Sequence, residues 1–593
     1  MKFPLASAAA LLVLLAAQPA EAKKKPRDTI PAVGTLIDNV SGATPDGKGG
    51  IERFTGLLIG DDGHVLEVYR QDDKRPERVA YRLDGQGRVM VPGLVDAHAR
   101  VMDTGLAQMT LDLSPARSLD EALSRVAAWA AAHSDMPWIL GSGWNESAWD
   151  VSGRMPTAAE LDAVTGGKPA WLTRAVGEAG WANRAALAAA GITAATPDPS
   201  GGRIERVAGS KAPSGVLHGT AADLVAAKAP PPRPDDRDLA LAKAQLVFLK
   251  QGVTTVTDMG TSIEDWQTYR RAGDLGKLRL RIVSYADGIE DMALIGGAGP
   301  SPWLYGDRLK MNGLHLVYDG AIGSRGAQMK AAYSDAPGVN GVARLNSTQL
   351  GNLMSRAAFD NFQVAIDVQG DAAIRTALDT VAELGFTYKG DRRWRIEGAQ
   401  AIDAADIRLF GEGGVIASMQ PAPLANDRAM LEARLGPARI AGAHAWKSIA
   451  ATGATLAFGS DTPGGAPAPF LGMAVAISRQ GTDGEPWGGW QPQEILSREA
   501  ALSAYTWGGA KAAFADDRLG RIAKGYRADF LFLDRDPLLA SPGELRQVKV
   551  LETWVNGQMV WSAARDASGA TKPAPEAASQ PAPEPAPEPA DER

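Results

Sequence analysis

The chain of 593 residues is long enough for more than one domain, since a typical domain has about 100–200 residues. Its composition, with 45% hydrophobic and 22% charged residues, is that of a folded protein and excludes disorder throughout. The net charge of −7 argues against non-specific binding to nucleic acid or to an anionic membrane. The absence of cysteine excludes disulfides, iron–sulfur clusters, thiolate metal sites and cysteine nucleophiles.

Residues 1–22 have the pattern of a secretory signal peptide. Lys2 provides a positive n-region, Pro4 to Ala17 form an apolar h-region, and Ala20-Glu21-Ala22 is a small-x-small cleavage site. The apolar run is shorter than the ~20 residues that a membrane span needs, so we expect no membrane insertion after cleavage. The pattern predicts an exported protein, which is periplasmic if the host is Gram-negative.

Two β-rich segments flank a long central region. Up to Val91, short apolar runs are separated by turns, and Asp62-Gly63 and Asp84-Gly85 are predicted to form hairpins. A second β-rich stretch near the end of the chain has Asn556-Gly557 at a predicted turn. We predict one β-sandwich domain formed by both ends of the mature chain, residues 23–91 and 516–565. A disordered Pro/Ala/Glu tail is predicted over residues 566–593.

The central segment, residues 92–515, alternates between short β-branched runs and helix-length stretches. The runs are VMVPGLVDAH, WILGSG, PAWLTRAV, VTTVTDMG, LRLRIVSY, LHLVYDG, FQVAIDV, WRIEGA, VIASMQ and ATLAFGSD. Helices are predicted between them, over residues 118–133, 236–251, 348–361, 372–384 and 440–452. This alternation indicates an α/β fold, and over this length it favours a (β/α)8 TIM-like barrel with insertions. In such a barrel the chemistry lies at the carboxyl ends of the strands.

Two strand-end phrases carry polar residues suited to a site. The first is Asp96-Ala97-His98-Ala99-Arg100, in which positions 96, 98 and 100 point to the same face of a strand. The second is Phe458-Gly459-Ser460-Asp461-Thr462-Pro463. In this order, these phrases resemble the amidohydrolase superfamily, and in particular the branch with N-substituted formamide deformylase (amidohydrolase family 3). Further matching phrases are WILGSGWNESAW over 138–149, DGAIGSRG over 319–326 and ASMQP over 417–421.

The resemblance implies a hydrolase that acts on carbon–nitrogen bonds other than peptide bonds, in a small amide or cyclic amide. In the family, an HxH pair, two further histidines and a late aspartate hold one or two divalent metals. His98 and Asp461 match two of these positions, and the matched role of Asp461 is to shuttle a proton. Most other ligand positions are substituted. Arg100, Asp367 and Gly398 replace histidines, and His315 replaces a lysine.

These substitutions leave three interpretations open. In the first, Arg100 pairs with Asp461 or Asp367 in place of a metal, and the chain is an inactive pseudoenzyme that binds a small ligand in the periplasm. In the second, His98, His315, Asp367 and Asp461 form a rebuilt site for one Zn, Mn or Fe ion. In the third, no metal is needed. Asp461 or Glu178 then acts as a base, and Arg100 or Arg325 holds an oxyanion.

The substrate is expected to be a small molecule, with Asp461 as the catalytic residue. The predicted substrate-binding residues are Arg100, Glu178, Asp319 and Arg325. Glu178 takes the place of a substrate-side histidine of the family. The remaining histidines are interpreted as packing or surface residues: His64, His133, His218 and His444.

Overall fold

The computed structural model describes residues 34–146, 149, 154–175, 179–199, 201–465 and 467–568. The predicted signal peptide, Glu178 and nearly all of the predicted tail lie outside these residues. The described chain contains three sheets: a parallel barrel sheet, a sheet formed by both ends of the chain, and a smaller inserted sheet.

The strands of the described chain are numbered in sequence order. They are β1 (Thr35–Pro45), β2 (Ile51–Ile59), β3 (Val65–Tyr69), β4 (Tyr81–Asp84), β5 (Val89–Pro92), β6 (Leu94–Ala99), β7 (Leu111–Asp112), β8 (Ile139–Trp144), β9 (Ala170–Arg174), β10 (Ala179–Ala182), β11 (Gly202–Arg206), β12 (Pro213–Gly219), β13 (Val253–Thr261), β14 (Arg281–Asp287), β15 (Leu309–Val317), β16 (Gln363–Val368), β17 (Arg395–Gly398), β18 (Ile416–Met419), β19 (Thr455–Phe458), β20 (Phe530–Leu533), β21 (Val550–Val555) and β22 (Gln558–Ser562).

The α-helices are numbered in the same way. They are α1 (Val101–Ala107), α2 (Leu119–Ala132), α3 (Ala158–Asp162), α4 (Arg184–Ala189), α5 (Thr220–Ala226), α6 (Pro234–Lys250), α7 (Ile263–Asp274), α8 (Ile289–Gly296), α9 (Ser347–Phe359), α10 (Asp371–Thr387), α11 (Arg408–Glu412), α12 (Leu424–Leu435), α13 (Trp446–Ala451), α14 (Pro469–Ser478), α15 (Arg498–Ser503), α16 (Gly509–Ala512), α17 (Pro542–Leu545) and α18 (Ala563–Ala567). None of these helices, all within the described part of the chain, has the length and apolarity needed to cross a bilayer.

Eight parallel strands form the barrel, in the order β6, β13, β14, β15, β16, β17, β18 and β19. The barrel closes where β19 approaches β6, and there the Asp461 amide donates to the His98 carbonyl at 2.8 Å. A Cβ at Gly459 would lie 2.4 Å from the His98 amide nitrogen, so this close approach requires glycine. The predicted (β/α)8 barrel is confirmed.

The second sheet joins the two ends of the described chain, because β20 pairs antiparallel with β5. The barrel therefore carries an additional β-sheet unit, as predicted, although the domain boundaries stay a prediction. The predicted hairpins at Asp62-Gly63 and Asn556-Gly557 connect antiparallel strands. The predicted hairpin at Asp84-Gly85 is wrong, because β4 and β5 both run parallel to β1 and pair with different parts of it.

The third sheet is formed by β7 to β12 and lies in an insertion between the first two barrel strands. Two of the predicted β runs, WILGSG and PAWLTRAV, form β8 and β9 of this sheet and are not barrel strands. Its core contains Trp144, Trp149 and Trp181, whose ring centroids are 6.2 Å apart in each pair. These tryptophans therefore pack the insertion, and large aromatic side chains contribute most of such a small core.

Four of the five predicted helices are present as α2, α6, α9 and α10. The fifth, predicted over 440–452, is broken into a 3₁₀ turn at Ile440–Gly442 and α13. The break has two local causes. Ala443 forms an isolated β-bridge with Ala401, and His444 has a left-handed backbone with φ of 50°.

Candidate functional site

Polar side chains from four barrel strands meet at the carboxyl edge of the barrel. His98 lies near the end of β6, His315 near the end of β15, Asp367 near the end of β16 and Glu397 near the end of β17. Asp461 follows β19. The fold brings them together because parallel barrel strands all end at the same rim, which is where barrel enzymes place their sites.

Three of the four predicted metal ligands form one cluster. One potential ligand atom from each of His98, His315 and Asp367 lies within 4.8 Å of the others. The two imidazole rings meet edge to face, with centroids 5.8 Å apart. Two imidazole nitrogens and a carboxylate oxygen form a donor set that suits Zn²⁺, Mn²⁺ or Fe²⁺.

His315 is the least satisfied polar side chain of this cluster. It is 3% exposed, and neither ring nitrogen has a hydrogen-bond partner among the described residues. Burial, followed by the nearby Arg100 cation, lowers the pKa of His315 well below its usual value. A neutral imidazole is the form that binds a metal, and a buried polar group without a partner costs about 1–3 kcal/mol. The residues present therefore fit a bound cation.

The pKa values of His98 and Asp367 are both raised above their usual values. Burial alone would lower the pKa of His98, but the hydrogen bond and charge of Glu397 and the charges of Asp461 and Asp367 raise it to about 9. Burial raises the pKa of Asp367 to about 6, although the His98 charge opposes the shift. His98 is therefore protonated at neutral pH unless a metal displaces the proton, and metal binding at this cluster must release it.

Glu397 and Arg395 contact the cluster, although the sequence analysis did not single them out. The Nδ1 atom of His98 lies 2.9 Å from Oε2 of Glu397, and Nε of Arg395 donates to Oε1 of Glu397 at 2.6 Å. Both charged side chains are fully buried. The available signal was the alternation in Arg395-Ile396-Glu397, because two charges on one face of an otherwise apolar strand must find partners inside the barrel.

Asp461 lies next to the cluster but is more exposed than its other members. Its side chain is 63% exposed, and its Oδ1 lies 3.6 Å from Nε2 of His98. Its backbone is left-handed, with φ of 57°, and its amide is held by the His98 carbonyl. This position, half in solvent and beside the ligand cluster, suits a group that exchanges protons with water.

Gln369 occupies the space beside Gly398. Gly398 has φ of 78°, and a Cβ at this position would lie 2.2 Å from Nε2 of Gln369. The same Nε2 atom donates to Oδ1 of Asp367 at 2.7 Å. The glycine at position 398 therefore leaves space for the carboxamide of Gln369, which fills this space and donates a hydrogen bond to Asp367.

Arg100 does not pair with Asp461 or Asp367 among the described residues. It caps the start of α1, and its nearest carboxylate partner is Asp103, at 3.7 Å. The expectation that Arg100 replaces a metal by pairing with these carboxylates is wrong, because the chain leaves β6 at Ala99 and turns into α1. The side chain is 36% exposed, and its charge still reaches the His315 ring.

The other predicted substrate-binding residues have mainly structural contacts. The Asp319 carboxylate accepts backbone hydrogen bonds from Gln328, Gln369 and Gly370 at 2.8–3.0 Å. Burial raises its pKa to about 7 against these bonds. Arg325 pairs with Asp335 at 2.8 Å. Their roles in substrate binding stay predictions, and Glu178 lies outside the described residues.

The chain is similar to known proteins over most of its length. Residues 83–561 match the amidohydrolase family. The protein YtcJ of Bacillus subtilis is 30% identical over 482 residues, which cover 80% of this chain and 89% of the relative. N-substituted formamide deformylase of Arthrobacter pascens is 28% identical over 496 residues, which cover 80% of this chain and 89% of that enzyme.

A solved structure supports the fold assignment. The crystal structure of an uncharacterized metal-dependent hydrolase from Pyrococcus horikoshii superposes with a TM-score of 0.70, at 23% sequence identity. The superposition covers 86% of this chain and 99% of the other. At this level of identity the likeness concerns the fold alone.

Proposed function

Since the chain belongs to the amidohydrolase family, we propose that it hydrolyses a carbon–nitrogen bond, other than a peptide bond, in a small amide or cyclic amide. The proposed site holds one divalent metal ion between His98, His315 and Asp367, with Asp461 beside it. This is a rebuilt version of the family's site, because Arg100, Asp367 and Gly398 replace expected histidines.

The buried, unpartnered nitrogens of His315 carry this proposal. They lie in the only group of three potential ligand residues found among the described residues, together with His98 and Asp367. The ring nitrogens of the packing residue His444 are unpartnered as well, so it is the position of His315 beside two further ligand residues that points to a bound cation. A Zn²⁺, Mn²⁺ or Fe²⁺ ion bound there would polarise the amide carbonyl and lower the pKa of a bound water.

The chain's own residues supply the remaining functions. The Asp461 side chain is largely exposed and its Oδ1 lies 3.6 Å from Nε2 of His98, so Asp461 can take a proton from water and deliver it to the leaving nitrogen. Arg100 presents a half-exposed cation at the rim, where it can bind an anionic group of the substrate. Asp367 is oriented by Gln369.

The first test is the metal content of the purified mature protein, residues 23–593, after expression without a histidine tag and dialysis against dilute chelator. We expect about one Zn, Mn or Fe ion per chain, measured by plasma mass spectrometry, and its loss in His315→Ala. His218→Ala is the matched control, because His218 pairs with Glu205 at 2.9 Å away from the cluster. A wild-type protein without stoichiometric metal would refute the metal-dependent mechanism.

A second candidate function is that of a pseudoenzyme that binds a small ligand. The observation that favours it is His98, whose ring lies between the carboxylates of Glu397 and Asp461 and can be satisfied as a cation without a metal. This candidate predicts no bound metal and no amide turnover, but saturable binding of a small anion near Arg100. Metal analysis followed by a binding screen separates the two functions.

We also propose that the protein is exported and is periplasmic in a Gram-negative host. The support is the pattern of residues 1–22, with its cleavage signal after Ala22. The intact mass of the protein recovered from the periplasmic fraction should correspond to a chain that starts at Lys23. Recovery of the uncleaved chain in the cytoplasmic fraction would contradict export.

A further inference from the structure

We propose that Glu397, held in place by Arg395, is a positioning residue that fixes the tautomer and orientation of His98 so that Nε2 faces the site. This inference rests on the proposed function for its purpose, since the oriented nitrogen is the one offered to the metal. Contacts inside the barrel support the orientation itself.

The two ring nitrogens of His98 have different partners. Nδ1 of His98 lies 2.9 Å from Oε2 of Glu397, whereas Nε2 lies on the side of Asp461. The Glu397 side chain is fully buried and His98 is 3% exposed, so water does not compete for this hydrogen bond. Nδ1 is therefore engaged by the buried Glu397, and Nε2 faces Asp461.

Arg395 prevents Glu397 from moving. Its Nε donates to Oε1 of Glu397 at 2.6 Å, and its Nη1 donates to the Tyr285 hydroxyl at 3.0 Å. It also donates to the carbonyl of Ala97, the residue before His98. The guanidinium thus connects three barrel strands, and its Nε anchors one oxygen of the Glu397 carboxylate.

The chemistry of the partners then decides the tautomer. A carboxylate has only acceptor atoms, so the proton of a neutral His98 ring must lie on Nδ1. The lone pair is left on Nε2, which is the atom on the side of Asp461. Carboxylates commonly orient metal-binding histidines in this way, and their removal typically costs 10- to 100-fold in metal affinity.

Glu397→Gln is the sharpest perturbation, because it keeps the shape of the side chain and changes one acceptor into a donor. Arg395 has only donor groups, so the glutamine must turn its carbonyl oxygen toward Arg395. Its amide group then faces Nδ1 of His98, which must become an acceptor. The substitution should therefore reverse the tautomer, move the proton to Nε2 and close that nitrogen to a ligand.

The experiment is nitrogen NMR of the full chain labelled with [15N]histidine, which has only six histidines to assign. Spectra of the metal-free protein are recorded at a pH at which His98 is neutral, with His98→Gln for assignment. We expect the wild-type proton on Nδ1 and the Glu397→Gln proton on Nε2. A wild-type ring with its proton on Nε2 would overturn the inference, whether or not the variant folds.

Zinc affinity, measured by competition with a chromophoric chelator, is the second readout. We expect it to fall 10- to 100-fold in Glu397→Gln and to stay unchanged in Glu494→Gln. The latter is a matched control, since Glu494 is also buried and bonded to Ser448, but lies elsewhere. Equal zinc affinities for the wild type and Glu397→Gln would contradict the positioning role. A wild type with the expected tautomer but no zinc binding would refute the proposed function and leave the positioning role standing.

Discussion

Gly398→Ala tests whether Gln369 holds Asp367 in the candidate site. The new Cβ would lie 2.2 Å from Nε2 of Gln369, so the carboxamide must move away. That movement breaks its 2.7 Å hydrogen bond to Asp367. A change of one methyl group, on a strand separated from that of His98 by β18 and β19, should therefore reach a ligand residue of the proposed metal site.

The expected cost has two parts. A left-handed backbone, here with φ of 78°, costs an L side chain about 1–2 kcal/mol. A hydrogen bond to a charged group contributes about 1.5–3 kcal/mol. Gly398→Ala should therefore lower the free energy of unfolding by about 2.5–5 kcal/mol. The matched control is Gly87→Ala, at φ of 70° with no atom within 4 Å of the new Cβ, which should cost only about 1–2 kcal/mol.

Urea denaturation of the metal-free proteins gives the order of stabilities, and zinc competition gives the effect on the site. In a Gln369→Ala background the bond is already absent, so adding Gly398→Ala should cost no more than Gly87→Ala. Zinc affinity should fall in both Gly398→Ala and Gln369→Ala, because Asp367 loses its orienting partner. Equal destabilisation by Gly398→Ala and Gly87→Ala, with unchanged zinc affinity, would show that Gln369 does not hold Asp367 in place.

Three further predictions concern stability, pH and turnover. Arg281→Met should destabilise the protein by about 3–5 kcal/mol in denaturant titrations, since it leaves the carboxylate of Asp529, now bonded at 2.6 Å, buried without a cation. Arg271 lies in an exposed ion pair, so Arg271→Met should lower the free energy of unfolding by less than about 1 kcal/mol. Equal losses of stability in Arg281→Met and Arg271→Met would contradict a role for burial of the Asp529 carboxylate. Burial and the Arg479 charge lower the pKa of His444 to about 3, so the unfolded chain binds the proton more readily than the folded chain. Between pH 6.5 and 5, this group should lower the free energy of unfolding of the wild type by about 2 kcal/mol. In His444→Asn, the midpoint of urea denaturation should lack this part of the pH dependence. Asp461→Asn should keep the bound metal but lose amide turnover by about 10²- to 10⁴-fold; unchanged turnover would remove Asp461 from the mechanism.

The barrel could be predicted from the sequence because its signals are local and repeated. Eight of the ten apolar runs form barrel strands, and the segments between them form most of the expected helices. The remaining two runs look the same in sequence but form β8 and β9 of the inserted sheet. Apolar periodicity indicates that a strand is buried, but it does not indicate to which sheet the strand belongs.

The hairpin at Asp84-Gly85 shows a second limit of local patterns. Asp84 ends β4 and a turn follows over 85–88, but β4 and β5 run in the same direction beside β1. The residues of a turn specify its backbone conformation, whereas the direction of the next strand depends on its partner. That partner, β20, lies near the other end of the chain.

By itself, the sequence determined the fold class, the family and the strand ends at which polar residues gather. It also identified His98, His315 and Asp367 as candidate ligands, because their positions follow from motif phrases and strand ends. These properties depend on short stretches of chain, which the sequence shows directly.

Only the tertiary structure decided how the site residues are partnered. Arg100 turns away with α1 to Asp103, Glu397 reaches His98, and Gln369 fills the space beside Gly398. Each of these contacts depends on the registers of strands that are far apart in sequence and adjacent in the barrel. A hydrogen bond forms or fails over a few tenths of an ångström, and such distances are set by packing that no local pattern contains.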